Sequence, residues 1–595
     1  MIGISIAIVS IILVIVIVIV CIYVIVAIWV RKLTSGTQWQ RPMLSKRSLG
    51  FDEVKVSPNK RFRLNLTEVF LSNTISAGRA ASILRDAAAA GAEGVADLAH
   101  MADDKNVHRN LLRKLLKSSK WPRLYWAKVH VWNKRTMEVE EAMVPMLLVH
   151  ELVATFHAHR QDDQQLFDTG SLDEMGRRHI ASVAGEINAG GPVVGLGLWL
   201  DGVAAKWDRA GSIDMLTLSL PGQTGRWKAA RIPLCSIDHS WVAKHQTWDD
   251  ILAVVTWSLQ MAAMGVYPTQ RPDGQPWLST DVQRRRRAGQ PLGCKAALVQ
   301  VTGDWKMYKD IFRFPQHNER DGCCFRCAVR PAGIRDTGSA APWRQDRLDH
   351  WGIIARMRQK NLTVSPLFQA PGVRAEILRI DWLHVADLGV AADWLGQLFV
   401  YLLGKFGGSA VAGCASLWRR IQELYVRYPP FAKLDTLTVQ MLRVSGPPKL
   451  RCYGSECRGL IPIARHLAEE MLATNNELEL TIQQATFQLH SCYATVSTDG
   501  AALAEHSRKF CTLWVSLEQV MPGSFHVKPK MHLFQEMCEL QAPGARPLLH
   551  STYREEEFGG SVAALGRRRG GAAGAGALGN QTLLKFCALH KVPEI

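Results

Sequence analysis

Gly195-Leu-Gly-Leu-Trp-Leu-Asp201-Gly202, taken together with Lys295-Ala-Ala-Leu-Val-Gln-Val-Thr-Gly303-Asp304, decides how this chain folds. Both are short apolar runs rich in β-formers, and each ends at an aspartate beside a glycine. Between them, 212–220 and 228–237 also read as strands, and a helical pattern covers 248–264. The order is strand, strand, strand, helix, strand. If the first and fourth strands lie side by side in parallel, Asp201 and Asp304 leave the sheet at one edge. Two carboxylates there can hold one or two hard divalent cations such as Mg²⁺. Asp-Gly and Gly-Asp pairs also cap turns, so it is the joint placement of the two acids that carries the reading.

The 595 residues exceed one ordinary domain, and 47% are apolar, enough for a sizeable core. The formal charge of +18 suits a polyanionic partner, nucleic acid or acidic lipid, without choosing between them. Thirteen cysteines, an odd number scattered over a long chain, are not a disulfide framework. Most read as small buried hydrophobes.

Residues 2–30 carry no charge and are mostly Ile and Val. At 1.5 Å per residue the span can cross a bilayer as a transmembrane helix with some tilt. Arg31, Lys32, Arg41, Lys46 and Arg47 follow, which places the bulk of a single-pass chain in the cytoplasm. The other reading is a misassigned start, with a nuclear protein behind it. Residues 33–190 read as a mainly helical N-terminal region. It includes a basic stretch, Arg109, Arg113, Lys114, Lys117 and Lys120, that is either a solvated face or a track for DNA phosphates. Residues 191–310 hold the strands quoted above. Within them Arg284, Arg285, Arg286 and Arg287 form a basic loop ahead of the second acid, placed to hold a phosphate backbone.

Residues 311–390 form a Cys/His-containing segment with a fifth strand over 376–380. Cys324-x-x-Cys327 can supply half of a tetrahedral zinc site. Asp381-x-x-His384 sits at a strand-to-helix junction. Residues 391–545 read as helical throughout, ending in a short basic stretch with Lys528 and Lys530, where lysines can contact a phosphate. Residues 546–570 hold a helix start, Ser551 or Thr552 capping, with Glu555, Glu556 and Glu557 in the first turn. Residues 571–595 are a Gly/Ala-rich tail.

The order Asp201, Asp304, Cys324-x-x-Cys327, Asp381-x-x-His384, Glu556 resembles that of eukaryotic cut-and-paste DDE/D transposases of the CACTA and KDZ-like groups. The resemblance covers about 190–560. It implies an α/β fold, an RNase H-like mixed sheet interrupted by a large helical insertion. It implies metal-dependent DNA strand cleavage and transfer, with Asp201 bridging two Mg²⁺ ions and Asp304 and Glu556 on either side. The choice of Glu556 over its two neighbours comes from the resemblance alone. It also implies a zinc ion on Cys324, Cys327 and His384, with Asp381 beside the histidine and His317, Cys323 or His532 completing the set. Partners would be DNA, further copies of the chain and, through 2–30, a membrane. The chain departs from the family in lacking an N-terminal DNA-binding zinc finger and in carrying the apolar leader. A non-catalytic, membrane-anchored protein that keeps the fold is the competing expectation.

Overall fold

The computed structural model describes residues 58–592 apart from 104, 118, 160–162, 205–210, 224–229, 316–323, 328–330, 443–445, 540–545, 567–573 and 591. The apolar span 2–30 and part of the C-terminal tail therefore lie outside the described residues.

Six strands make one mixed sheet: β1 (Tyr125–Asn133), β2 (Glu138–Met146), β3 (Val193–Ala204), β4 (Ser212–Ser219), β5 (Arg231–Asp238) and β6 (Lys295–Thr302). Their order across the sheet is β1-β2-β5-β4-β3-β6. β3, β4 and β5 form an antiparallel meander, and β6 returns beside β3 in parallel, from Val193↔Lys295 to Trp199↔Thr302. The crossover is the helix Lys244–Met264, which ends at Gly265 in the left-handed conformation that glycine tolerates. β4 and β6 are buried at every residue but their first. Such strands read as continuous apolar runs because both faces of the sheet are covered.

One expectation is refined here and another corrected. The region 33–190 is mainly helical where it is described, but contrary to an all-helical reading it also contributes the β1–β2 hairpin, which joins the sheet through Met146↔Cys235. The strand expected over 376–380 is a single parallel bridge, Val301↔Leu378, with the Arg379 amide donating to the Val301 carbonyl at 2.9 Å. The chain leaves the sheet at once because the Arg379 side chain is drawn to buried Asp173 and the Asp381 carboxylate starts the next helical turn.

That turn opens a π-helical segment, Leu383–Ala391, continuous with the helix Ala392–Leu403. Among the described residues this is the one helix long and apolar enough to cross a membrane, and 83% of its apolar window is buried inside the protein. Further helices, among them Ala410–Arg427, Gly454–Met471, Glu477–Thr495, Gly500–Val520 and Lys530–Glu539, gather around it with a core of their own. After them the chain returns to the sheet. The helix Tyr553–Gly566 packs on β3, and the helix Gly576–Leu589 packs on β2 and β5.

Candidate active site and metal centre

Asp201 lies near the C-terminal end of β3 and Asp304 just past the end of β6. Because the two strands are parallel neighbours, both acids emerge at the same edge of the sheet. Each also makes the local bond expected of an acid at a strand end. Asp201 Oδ1 accepts from the Gly202 amide at 2.6 Å, and Asp304 caps the helix Trp305–Asp310 through the Met307 amide at 2.7 Å.

Glu556 reaches them through packing. Trp199, Asp201 and Val203 alternate onto one face of β3. Gly559 presses on that face so closely that a Cβ there would lie 2.8 Å from the Trp199 ring and 2.9 Å from Val203 Cγ2. Glu556 stands three residues earlier, on the same side of the helix, and its carboxyl comes close to that of Asp201. Burial, followed by the charge of Asp201, holds the Glu556 carboxyl well above the ordinary carboxylate range. Burial and the nearby Asp304 likewise raise Asp201. Two carboxyls packed so close disfavour a second negative charge. Glu556 Oε1 is buried and has no hydrogen-bond partner.

The neighbouring glutamates are committed elsewhere or exposed. Glu555 is paired with Arg231 at the start of β5, both side chains buried or nearly so, with Nε at 3.0 Å from Oε1. Glu557 is exposed. Packing thus separates three acids that spacing alone could not.

Asp381 and His384 belong to this site and not to the cysteines. Asp381 is buried and accepts from the amides of Leu383, His384 and Thr552, from the Thr552 hydroxyl and from His384 Nδ1. One carboxylate therefore fixes the His384 ring and the start of the Glu556 helix. His384 Nε2 lies 3.9 Å from Glu556 Oε1. Burial opposes its protonation, but the Asp381 bond and the charges of Asp381, Asp304 and Asp201 raise the imidazole overall.

Lys530 donates to the His384 carbonyl at 2.7 Å. Burial and the nearby Lys449 lower its ammonium, while Asp393, Asp304 and Asp381 act in the opposite sense. Lys528 is held by buried Asp393 at 2.7 Å, and Lys449 reaches the same carboxylate at 3.7 Å and the Leu388 carbonyl at 2.6 Å. Three lysines thus gather beside one aspartate on the flank of the acid cluster. Sequence reasoning missed Lys449; it follows Pro447-Pro448, and no local pattern tied it to this edge.

The arginine run is corrected. Residues 282–287 are a short helix, not a loop. Arg284 is buried in a two-pronged bond with Glu151, at 2.7 and 2.9 Å, over the rings of Tyr125 and Trp277. It is a structural ion pair. Arg285, Arg286 and Arg287 are exposed, Arg287 against Tyr267.

A second cluster sits apart from the acids. Cys324 Sγ and Cys327 Sγ are 3.4 Å apart, and His532 Nε2 lies 3.8 and 3.5 Å from them, all three residues buried. Tetrahedral zinc with bonds of about 2.3 Å to sulfur and 2.0 Å to nitrogen sets its ligands roughly 3.5–3.8 Å apart. The cluster can therefore bind a metal such as zinc, and among the described residues no other set of three His, Cys, Asp or Glu ligands is drawn so close. Glu536, one turn after His532, brings Oε2 to 3.6 Å from Cys324 Sγ, and its other oxygen pairs with Arg347 at 3.3 Å. Of the expected fourth ligands, His532 is present, while His317 and Cys323 lie outside the described residues. Lys530 and His532 share one helix, so metal bound here would also anchor the lysine on the acid cluster's flank.

The chain matches no protein-family model and no curated protein.

Proposed function

We propose that this chain is a transposase-like enzyme with an RNase H-like core that cleaves and transfers DNA strands using hard divalent cations. The carrying observation is the parallel β3–β6 pair with an aspartate at the same end of each strand, together with the close-packed helix that lays Glu556 on Asp201. The strand order β5-β4-β3-β6, with Leu378 bridging Val301 on the far side of β6, supports the fold assignment.

The donor types suit a magnesium-type centre, although the three carboxylates are not drawn as close together as the ligands of the thiol cluster. All three donors are carboxylates, and Glu556 keeps a buried oxygen with no partner. Asp201, Asp304 and Glu556 would hold the ions. Bound there, the cations would activate a water or 3′-hydroxyl and steady the leaving oxygen. The chain's own groups do the rest. Glu556, whose carboxyl burial and Asp201 hold in the protonated form, would have to lose its proton to serve as a ligand. Asp381 keeps the His384 ring turned toward Glu556. Lys530 and Lys449 offer positive charge to a phosphate brought to the acids, and exposed Arg285 and Arg286 offer it along the backbone.

The test is nicking of supercoiled plasmid in Mg²⁺ or Mn²⁺. Wild type should nick, and Asp201→Asn should lose nicking by at least a hundredfold while binding duplex DNA unchanged. Equal nicking by both, or none by wild type, overturns the assignment.

A membrane-tethered, non-catalytic form of the same core is the second reading, favoured by the uncharged span 2–30. Carbonate extraction of a tagged chain separates the two: retention in the pellet supports the tether, and release with nuclear proteins opposes it.

A further inference from the structure

At the end of the sheet opposite the acids lies a wide groove of about 840 Å³. It meets a second hollow of about 940 Å³, the two sharing Met264 and Lys295. Lys295 and Val193 are the first paired residues of β6 and β3. Asp201 is eight residues further along β3, so the groove lies roughly 26 Å from the acid cluster at 3.3 Å per residue.

The lining is unusual for a crevice between helices. Trp351 is 65% exposed, on the first turn of the helix His350–Gln359, with the buried ring of His350 edge-on at 4.8 Å. An exposed indole beside an open hollow is a stacking face with nothing stacked on it. Arg358, seven residues on and therefore on the same side of the helix, is exposed and makes no ion pair among the described residues. Among the described residues Lys295 donates only to the carbonyls of Ile187 and Asn188, at 2.8 and 3.0 Å, and no carboxylate neutralises it. Arg374 is balanced by Glu186 at 3.2 Å. His350 also lines the groove, and its buried Nδ1 has no hydrogen-bond partner.

A flat aromatic face, two uncompensated cations and an unpartnered ring nitrogen together suit a ligand with a planar ring and an attached anion. We propose that this groove binds a nucleotide, its base stacked on Trp351 and its phosphate held by Arg358 and Lys295. Stacking on an exposed tryptophan does not depend on which base is present, and the cations follow the backbone. The same chemistry could come from a single strand or from a free nucleotide. The inference deepens the strand-cleaving reading.

The experiment uses the full chain in EDTA, with fluorescence anisotropy of labelled dT12 at several KCl concentrations. Trp351→Ala should weaken binding about tenfold or more, and Trp351→Phe should stay within about threefold of wild type. Arg358→Ala should weaken it and flatten the salt dependence by about one ion. Because both side chains are exposed, circular dichroism should match wild type. Displacement of dT12 by millimolar dTMP assigns the groove to a free nucleotide; loss on Trp351→Ala without such displacement assigns it to a strand. Equal dT12 affinity in wild type and Trp351→Ala overturns the proposal. Absent nicking with Trp351-dependent binding would thus defeat the catalytic reading alone, and nicking without that dependence would defeat the groove alone.

Discussion

Glu555, Glu556 and Glu557 are adjacent and chemically alike, yet the fold gives them three fates: an ion pair with Arg231, a place against Asp201, and exposure. No spacing rule could have sorted them, because neighbours on a helix point about 100° apart and only the packing partner decides which one faces the site. The raised carboxyls carry a sign. A group whose folded-state pKa lies above its unfolded value stabilises the fold at low pH and loses that contribution as pH rises. At pH 8 without cations, Asp201 and Glu556 therefore oppose folding, and Asp201→Asn should raise the melting temperature in EDTA while removing the further rise that Mn²⁺ gives wild type. A melting temperature in EDTA unchanged by the substitution would count against the close approach of the two carboxyls. At the thiols, Cys324→Ser should lose bound zinc by elemental analysis and cost ~2–4 kcal/mol in chemical unfolding. Full zinc content in that variant would rule the cluster out. The Cys-x-x-Cys was legible; its partner was one of three histidine or cysteine alternatives, since a ligand 208 residues away leaves no local trace.

Among the elements, the strands from 193 to 302 were readable because their apolar runs are bounded by glycine and acid. The β1–β2 hairpin was not. β2 begins Glu-Val-Glu-Glu and is exposed or half-buried over its first six residues, so it lacks an apolar signature. The short bridge at Leu378 misled in the other direction, since its apolar residues serve the core without extending the ladder. The Glu556 helix depends on one glycine. Gly559→Val would drive a side chain into Trp199 and Val203, and should cost about 1–3 kcal/mol and lower nicking about a hundredfold through displacement of Glu556. Unchanged nicking would show that the close approach does not position the acid. Two turns of the chain are tied together by Asp387, which accepts from Trp382, Tyr493 and the Tyr553 hydroxyl on that same helix. Burial pushes Asp387 up to about 6 from 3.8. Its protonated form is favoured by the fold, so its contribution is full below about pH 4 and is lost as pH rises through 6. Asp387→Asn should therefore flatten the wild-type fall in stability between pH 4 and 6, as read by unfolding in urea. A parallel pH profile in the two proteins would remove Asp387 from that account.

At the scale of the whole molecule, two cores divide the work: a sheet with its covering helices, and a helical body around the segment Leu383–Leu403. The alternation of strand and helix made the first legible as a class, and sustained helical periodicity made the second legible as an all-helical block. How the block returns its last helix to the sheet was invisible to periodicity, because it rests on Asp381, Thr552 and the thiol cluster, contacts between distant parts of the chain. Removing zinc with 1,10-phenanthroline should accordingly speed proteolysis within 392–539 several-fold. Equal cleavage rates with and without chelator would show that the cluster does not secure the block. The same long span orders events during synthesis. A ribosome adds about 5–20 residues each second, so Cys324 must wait roughly ten seconds or longer for His532 to be made, and Asp201 and Asp304 wait longer still for Glu556. A chain interrupted between residues 304 and 555 carries two acids but not the third, and on the proposed reading such a fragment would leave DNA uncut.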